Sequence, residues 1–350
     1  MARVDVTVRG GGIFGLACAF TCLQRGAKVR VIETTRIGAG SSGGLVGALA
    51  PHVPENWNPK KQFQLESLLM AKAFWAEVAR IGGRDPGYLR SGRLQPLPDA
   101  RAVENARARV HESATLWQGR ATWSVIPATG ADWEPHSPTG LLIHDSLTAR
   151  LSPRSAGIAL AAAIEGLGGE IVLGDAPDEG AVLWATGHQG LQDLNAAFGK
   201  PLGAGVKGQS LSLRLPDLDI TALPQLFADS LHIVPHADGS IAIGSTSENT
   251  WDSPDSLDAR CDDLLTRARA ALPILDRAEI IDRWAGIRPR AKTRSPMLGP
   301  WPGRPGQFIA NGGFKIGFGM APKVAEVMAD LILTGTDHAI PPGFRVEANL

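Results

Sequence analysis

The sequence predicts an α/β protein in which a parallel nucleotide-binding sheet is combined with a mainly antiparallel β region. Two observations support this. Residues 4–33 contain alternating valines, a glycine-rich turn, a helical stretch and a second apolar run, which is the order of a βαβ unit. Residues 206–244 contain three apolar runs of strand length, and the turn dipeptide Asp238-Gly239 separates the last two.

The glycine-rich turn has the pattern G-x-G-x-x-G, with Gly10, Gly12 and Gly15 at the three glycine positions. Gly10 allows a tight turn, Gly12 lets a pyrophosphate approach the backbone, and Gly15 lets helix and strand pack closely. The helix N-terminus supplies free N–H donors and a positive dipole end. Glu33 ends the second strand about 20 residues beyond the turn, where an acid binds a ribose hydroxyl pair. This unit predicts a bound dinucleotide.

The stretch after Glu33 predicts a binding loop. Residues 34–52 contain five glycines and two serines, which do not fit an ordinary strand or helix start. The loop offers its amides and the Ser41 and Ser42 hydroxyls to a second phosphate or a ring edge. A flexible linker is the alternative.

Apolar spacing and capping residues predict the middle elements. Helices are expected over residues 59–80, 100–118, 153–167 and 256–272, and strands over residues 92–97, 141–145, 171–173 and 181–187. Ser152 and Ser256 are the expected N-caps of the last two helices. Leu257 is expected on the core side of the last helix.

The C-terminal region predicts a second glycine-rich helix start. Residues 309–333 have the order strand, glycine-rich turn and helix, with Pro322 in the expected first helical turn. This start lies near the opposite end of the chain from the first. A ligand long enough to touch both helix starts explains them better than two separate anion sites.

Composition excludes several classes of protein. Lys+Arg and Asp+Glu both number 35, so no global field attracts nucleic acid or an anionic membrane. No apolar run approaches the roughly 20 residues of a membrane span, and a cytoplasmic protein is expected. Cys18, Cys22 and Cys261 form neither a disulfide framework nor a zinc site, and no metal is expected. Cys18 and Cys22 share a helix face and are interpreted as small core residues.

Eight short motifs then occur in one order along nearly the whole chain. They are G-G-G-I-F-G at 10–15, G-A-G-S-S at 38–42, G-A-L-A-P-H at 47–52, A-T-G at 185–187, V-K-G-Q at 206–209, I-V-P at 233–235, W-A-G-I-R-P at 284–289 and G-F-K-I-G-F-G-M-A-P at 313–322. In these motifs the sequence resembles the D-amino-acid oxidase superfamily of FAD-dependent amine oxidoreductases, most closely its glycine oxidase and sarcosine oxidase branch.

The resemblance implies a Rossmann-like FAD-binding domain assembled from separated segments and an inserted, mainly antiparallel β substrate-binding domain. The first would comprise residues 1–86, 141–204 and 286–350, and the second residues 87–140 and 205–285. No cysteine stands at a ring-contact motif, so noncovalent FAD is expected. The segment 170–181 is short and lacks a hairpin that the family usually uses to cover the adenine.

The resemblance also implies positions for the parts of FAD. The pyrophosphate would lie on Ile13 and Phe14, and the ribose on Glu33 and Thr34. The middle and the ring end would contact Ser41, Ser42, Val46, Gly47 and Ala48. The pyrimidine edge of the isoalloxazine would run along Gly313, Phe314, Lys315, Ile316, Gly317, Phe318 and Gly319.

Three residues are implied for the substrate. Arg288 corresponds to the residue that grips the substrate carboxylate, which a guanidinium binds bidentately. Lys315 stands where glycine oxidases carry a second cation. His232 replaces the tyrosine that commonly precedes I-V-P, and His236 replaces an arginine that often follows. The alternative is a surface or structural role for Arg288 and a structural role for His232. For Lys315 the alternatives are a positive charge near the flavin for reaction with oxygen, or an inward stem with a solvated head.

The implied reaction oxidises the C–N bond of an amino acid or an N-substituted glycine-type amine. A hydride passes to flavin N5, the resulting imine hydrolyses, and oxygen is one candidate electron acceptor. One alternative is an oxidase that trims carboxymethylaminomethyl-uridine in tRNA, because G-A-L-A-P-H with Asn58-Pro59 and Gln62-Phe63 also resembles the flavin domain of the bifunctional enzyme with that activity. The balanced net charge argues against RNA binding, although Lys60-Lys61 and residues 101–109 could form a local basic patch. The others are a nicotinamide-dependent dehydrogenase and a flavin-binding protein without turnover.

Overall fold

Two large sheets organise the chain, one six-stranded and mostly parallel, the other eight-stranded and mostly antiparallel. They are seen in a computed structural model, and the structure describes residues 4–216 and 218–350. The strands are β1 (Val6–Arg9), β2 (Val29–Glu33), β3 (Ala48–Leu49), β4 (Arg93–Pro96), β5 (Trp123–Pro127), β6 (Leu141–Asp145), β7 (Ala149–Arg150), β8 (Glu170–Leu173), β9 (Ala181–Trp184), β10 (Gly203–Arg214), β11 (Gln225–Ala228), β12 (Leu231–Pro235), β13 (Ser240–Gly244), β14 (Glu279–Ala291), β15 (Met297–Pro300) and β16 (Gln307–Asn311).

The helices are α1 (Ile13–Gln24), α2 (Pro59–Gly82), α3 (Ala100–Leu116), α4 (Pro153–Gly166), α5 (Gly187–Phe198), α6 (Ala259–Ala271) and α7 (Gly317–Thr334). Short 3-10 helices span Ser41–Gly43, Pro273–Arg277, Pro342–Phe344 and Val346–Asn349. The α/β fold class predicted from the sequence is confirmed.

The six-stranded sheet has the order β15-β16-β9-β1-β2-β8 and draws its strands from three separated parts of the chain. β1 is central and pairs in parallel with β2 and β9, and β16 pairs in parallel with β9. Val6 and Val8 are buried in β1, and α1 packs against both α7 and α4. The carboxyl ends of the parallel strands therefore meet at the start of α1, where ligands bind in open α/β sheets.

The eight-stranded sheet has the order β14-β10-β13-β12-β11-β4-β6-β5. One face is a dry core, in which α6 covers residues that alternate along the strands. Leu211, Leu213, Ile233, Ile241 and Ile243 belong to this core, and each is fully buried. The opposite face is turned to the nucleotide side, where the Trp284 ring lies near Gly44.

If the domains are divided according to the two sheets, the division differs from the predicted one at two boundaries. β6 pairs with β4 and β5 in the antiparallel sheet, although the predicted boundary before residue 141 assigns it to the nucleotide-binding domain. β14 also continues in this sheet to Ala291, beyond the boundary predicted after residue 285. The two-domain division itself stays a prediction.

The predicted start of α6 is wrong. Asp258, not Ser256, is the N-cap, and its carboxylate accepts a 3.0 Å hydrogen bond from the amide of Arg260. Ser256 instead accepts a 2.8 Å hydrogen bond from the Lys207 ammonium. Leu257 lies outside the helix and is 42% exposed, so it does not contribute to the core.

Two further helices differ from what the sequence predicts. α7 begins at Gly317, so Pro322 lies in its second turn and cannot donate the usual helical hydrogen bond to the carbonyl of Phe318. α5 was not predicted. Its glycines Gly187 and Gly190 interrupt the helical pattern, although Leu191 is fully buried.

The cysteines have a packing role. Cys18, Cys22 and Cys261 are free and buried, and burial raises the pKa of Cys22 to about 12. The two α1 cysteines are fully enclosed in the core, as interpreted from the sequence. Across residues 4–216 and 218–350, no helix is long and apolar enough to cross a bilayer, and no group of acidic, histidine and cysteine side chains could hold a metal.

The core between α4 and the parallel sheet gives a stability prediction. Leu160 is fully buried in α4, so Leu160→Ala should lower the free energy of unfolding by about 2–5 kcal/mol, because it leaves a cavity. Leu173→Ala makes the same chemical change in β8, where the side chain is 61% exposed, and should cost less than about 1 kcal/mol. Urea unfolding of the two variants beside the wild type measures both; equal losses would contradict the assignment of Leu160 to the core.

Candidate active site

The first glycine turn is shaped by two close approaches. Gly10 has a φ of +112°, and a Cβ there would lie 2.5 Å from the carbonyl oxygen of Ala185 at the end of β9. A Cβ on Gly15 would clash with the carbonyl oxygen of Gly10. Both positions therefore require glycine, as the sequence pattern predicts.

The start of α1 leaves hydrogen-bond donors available. Its N-cap, Gly12, makes no side-chain cap, and the Ile13 amide donates a 3.0 Å hydrogen bond to the Ser42 hydroxyl. In the described part of the chain, the amides of Gly12 and Phe14 have no acceptor. This is the arrangement of donors that a pyrophosphate requires.

Glu33 lies against the same turn. Its carboxylate accepts a 2.8 Å hydrogen bond from the Gly11 amide and weaker ones from Thr34 and Thr35. A cavity of about 180 Å³ opens beside it and is lined by side chains that include Arg36, Ser42, Arg154, Ile158 and Phe318. Glu33 and Thr34 thus lie at the edge of the space that a dinucleotide would enter.

The start of α7 lies beside the start of α1. A Cβ on Gly313 would be 2.9 Å from the Phe14 ring, and one on Gly317 would be 3.5 Å from the Ile13 side chain. The α7 N-cap, Ile316, also makes no side-chain cap. The two predicted glycine-rich helix starts therefore converge. One long anionic ligand fits them, as a dinucleotide such as FAD would.

The loop between β2 and α2 joins the two sheets. Ser41 begins its 3-10 helix, and the Leu45 carbonyl accepts a 3.0 Å hydrogen bond from His236 of the antiparallel sheet. The Val46 side chain fills the space above Gly244, and Ala48 pairs with Arg150. His236 thus holds the loop, so its position is explained by structure rather than by substrate contact.

Gly47, the remaining predicted residue of this loop, has a φ of +61°. A Cβ there would clash with the carbonyl oxygen of Leu151. Glycine at this position allows β3 and β7 to approach.

Arg288 is a buried cation on β14. It is 8% exposed, and its guanidinium lies directly over Gly208 of the neighbouring strand. It donates to the Ser245 hydroxyl at 2.7 Å and to the carbonyl oxygens of Lys207 and Thr246 at 3.3 and 2.5 Å. Burial lowers the pKa of Arg288 to about 10, so it keeps its charge at neutral pH without a hydrogen-bonded carboxylate.

Phe314 connects Arg288 with Lys315. Its amide donates a 3.0 Å hydrogen bond to the Pro289 carbonyl, which fixes the second glycine turn to β14. The Arg288 guanidinium carbon and the Lys315 ammonium nitrogen each lie 5.8 Å from the centre of the Phe314 ring. The Lys315 side chain is largely exposed. Partial desolvation by the surrounding protein, together with the nearby Arg288 charge, lowers the pKa of its ammonium group.

His232 lies on the same sheet face as Arg288. It pairs with Gly244 and Phe227, and its ring centre is 4.7 Å from that of Phe227. Burial, with the charges of Arg93 and Lys315, lowers the pKa of His232 to about 3, so the imidazole is neutral near pH 7. Its Nδ1 has no hydrogen-bond partner among the described residues. The three residues predicted to contact substrate therefore form one region.

Some residues of this region were missed from the sequence. Trp284 was quoted only within a motif, yet its ring covers Gly286 and lies beside Gly44. Glu248 is 5% exposed and accepts hydrogen bonds from Gln209 and Thr246, which supports the backbone that holds Arg288. The motifs V-K-G-Q at 206–209 and W-A-G-I-R-P at 284–289 are the signal that pointed to this region, and nothing in the sequence marks Glu248.

Comparison with known proteins decides the family. The profile of the FAD dependent oxidoreductase (DAO) family matches residues 5–331, which is nearly the whole chain. The protein belongs to this family. Its cofactor is accordingly FAD, and the two glycine-rich helix starts fit that assignment.

Relatives of this DAO family member include characterised glycine oxidases. The glycine oxidase of Geobacillus kaustophilus is 25% identical over 361 residues, covering 94% of this chain and 93% of the relative. That of Pseudomonas putida is 27% identical over 367 residues, covering 97% and 96%. The crystal structure of the Geobacillus kaustophilus enzyme matches with a TM-score of 0.83, 24% identity and 99% of both chains.

These matches support FAD-dependent amine oxidation and confirm the resemblance read from the sequence motifs. The tRNA-trimming and nicotinamide-dependent alternatives are not favoured. The contacts assigned to individual FAD atoms stay predictions.

The first glycine turn predicts a cofactor-affinity effect. Gly15→Ala forces the turn away from Gly10, so FAD affinity should fall by about tenfold or more. Gly343→Ala is the matched control, because a Cβ there meets open space and the residue lies outside both glycine turns and the binding loop. Titration of each apoprotein with FAD, followed by flavin fluorescence, measures the affinity; unchanged binding by Gly15→Ala would place the pyrophosphate elsewhere.

Proposed function

We propose that this enzyme oxidises an amine whose α-carbon carries a carboxylate, and that Arg288 with Lys315 binds that carboxylate. Amino acids and N-substituted glycines are the substrate class. The observation that carries the proposal is Arg288, a buried guanidinium held only by uncharged acceptors. The glycine oxidases among the relatives support the same substrate class.

A buried cation without a hydrogen-bonded carboxylate favours an anionic ligand. Glu248 acts on Arg288 through its charge but accepts no hydrogen bond from it. Burial of such a cation costs free energy, and a ligand carboxylate offsets part of that cost through charge-assisted hydrogen bonds. Three protein acceptors already hold the guanidinium in place, so binding needs little reorganisation. Lys315 adds a second positive charge, also 5.8 Å from the centre of the Phe314 ring.

We assign His232 to the substrate amine. Its neutral imidazole has an unpartnered Nδ1, which accepts or donates a hydrogen bond according to the tautomer. Because the ring packs on Phe227, its direction is fixed. This arrangement supplies the polar contact for which relatives commonly use a tyrosine.

The protein residues position substrate and cofactor, while bound FAD supplies the acceptor for the hydride. We assign the pyrophosphate to Ile13 and Phe14 and the ring edge to residues 313–319. The uncapped start of α7 stabilises negative charge at that edge. Oxygen as the final acceptor and a cytoplasmic location belong to the same proposal.

The carboxylate assignment predicts the effect of truncating Arg288. Arg288→Ala should lower kcat/KM by an amount equivalent to about 2–5 kcal/mol, because the substrate carboxylate loses its charged partner. Steady-state kinetics with the best substrate from a panel of glycine, sarcosine and D-amino acids measures this. Arg283→Ala is the matched control, since Arg283 occupies the same strand but ion-pairs with Asp262 at the surface. Equal effects of the two variants would remove Arg288 from the substrate site.

The neutral state of His232 predicts a pH effect on stability. The folded protein keeps His232 neutral down to about pH 3, while the unfolded chain protonates it near its ordinary pKa of 6.5. The unfolded state therefore binds more protons between these values, and His232 destabilises the fold as the pH falls through that window. Urea unfolding of wild type and His232→Gln from pH 7 to pH 4 should show a shallower loss in the variant. Parallel curves would mean that His232 is protonated when folded.

A further inference from the structure

The sheet face that carries Arg288 and His232 extends to a second buried arginine. Phe227 is directly opposite His232, and Gln225, two residues earlier on β11, is paired with Arg93 of β4. Residues opposite one another or two apart on a strand point to the same side of a sheet. Arg93 therefore faces the same space as His232.

Arg93 uses only part of its hydrogen-bonding capacity. It is 5% exposed, and its Nε donates a 2.9 Å hydrogen bond to the Asp145 carboxylate. Its guanidinium carbon lies 5.7 Å from the centre of the Phe227 ring. Within the described residues, its two terminal nitrogens donate to no acceptor. A guanidinium has five N–H donors, so the two terminal nitrogens at the forked end of Arg93 are free to donate to a ligand.

The free terminal nitrogens of Arg93 lie beside side chains that remain partly exposed on this face of the sheet. Phe227 and His232 keep part of their surface exposed, although Leu226 and Ile233, which point to the opposite face, are fully buried. The Nδ1 of His232 is also unpartnered. The Arg93 guanidinium and the His232 imidazole therefore both have unused hydrogen-bonding capacity, and both lie beside the Phe227 ring. They are at the end of the site away from Arg288.

We propose that Arg93 is a second anion-binding group of the active site, and that the preferred substrate is an amine with two carboxylates. Acidic amino acids and N-carboxyalkyl glycines are the chemical class. This inference rests on the proposed function, because it assigns the first carboxylate to Arg288. The second carboxylate lies against the free edge of the Arg93 guanidinium, beside the Phe227 ring, while His232, between the two arginines, contacts the amine.

The spacing of the strands suits two carboxylates a few bonds apart. The Arg288 guanidinium reaches Ser245, which directly follows β13, while the Arg93 guanidinium lies beside Phe227 on β11. β12, with His232, separates β13 from β11. Because the Arg288 guanidinium itself lies over Gly208 of β10, the interval is two to three strand spacings, roughly 10–14 Å. A small dicarboxylic amine can span this interval.

A purely structural ion pair would look different. Arginine and carboxylate commonly pair through two parallel hydrogen bonds, which would occupy a terminal nitrogen of Arg93. Here the second oxygen of Asp145 accepts from the Thr148 amide at 2.8 Å instead. Asp145 thus balances the buried charge and leaves the outer edge of the guanidinium for a ligand.

The experiment compares unreactive mono- and dicarboxylates bound to the FAD-loaded enzyme. Acetate, succinate and glutarate are titrated separately, and binding is followed by calorimetry and by the change in flavin absorbance. The wild type should bind the better dicarboxylate at least about tenfold more tightly than acetate. The double variant Arg93→Gln/Asp145→Asn removes both charges together. It should lose this preference while its acetate Kd stays within about twofold of wild type.

A matched control and a conservative variant separate binding from general charge effects. Arg345→Gln/Asp337→Asn removes another Arg–Asp pair, near the C-terminus, and should keep the preference. Arg93→Lys retains the charge but not the fork, so the preference should fall without vanishing. This single variant also tests the proposal if the double variant fails to fold.

Two results would overturn the inference: a wild-type enzyme with no preference for dicarboxylates, or a preference that keeps its wild-type size in Arg93→Lys or in the double variant. Failure of the proposed function gives a different result. In that case acetate binding would be insensitive to Arg288→Ala, whatever the behaviour of the Arg93 variants.

Discussion

The contact between the first turns of α1 and α7 is the constraint on which the rest of the structure depends. These helices come from opposite ends of the chain, yet Gly313 and Gly317 lie against Phe14 and Ile13. The contact is possible because β9 and β16 continue the parallel sheet beside β1. Two positive helix ends side by side repel one another, so the arrangement favours a ligand with negative charge between them. FAD, the cofactor of this family, carries such negative charge on its pyrophosphate.

The antiparallel sheet serves the site through the alternation of its strands. One set of side chains makes a dry core under α6, which frees the other set from a packing role. On that free face the glycines leave depressions, each occupied by a neighbouring side chain: Arg288 over Gly208, Val46 over Gly244 and Trp284 over Gly286. Arg288 is tolerated on this face because neighbouring carbonyls and a hydroxyl accept its hydrogen bonds, whereas among the described residues the Nδ1 of His232 and the terminal nitrogens of Arg93 have no partner. The apolar core on one face of the antiparallel sheet thus supports the polar face opposite it, which is shaped for a ligand.

Sequence reasoning succeeded where local rules decide the outcome. The G-x-G-x-x-G turn, the Asp238-Gly239 hairpin and the Ser152 cap depend on a few adjacent residues, and the structure contains all three. It failed where distant residues compete. Ser256 has the chemistry of a cap, but the ammonium of Lys207 takes its hydroxyl and Asp258 caps the helix. Arg93 is one of many arginines in the sequence, and only strand pairing places it beside Phe227 and His232.

The assembly of the parallel sheet from distant segments has a consequence for biosynthesis. β16 and α7 are synthesised after the other strands of the parallel sheet, and one of the two glycine-rich helix starts belongs to them. A nascent chain that has not yet reached α7 therefore lacks the second helix start, however early the first βαβ unit folds. Once bound, FAD links the beginning and the end of the polypeptide, and mass action then stabilises the closed sheet against opening. Bound cofactor therefore stabilises a fold in which many contacts join residues that are far apart in the sequence.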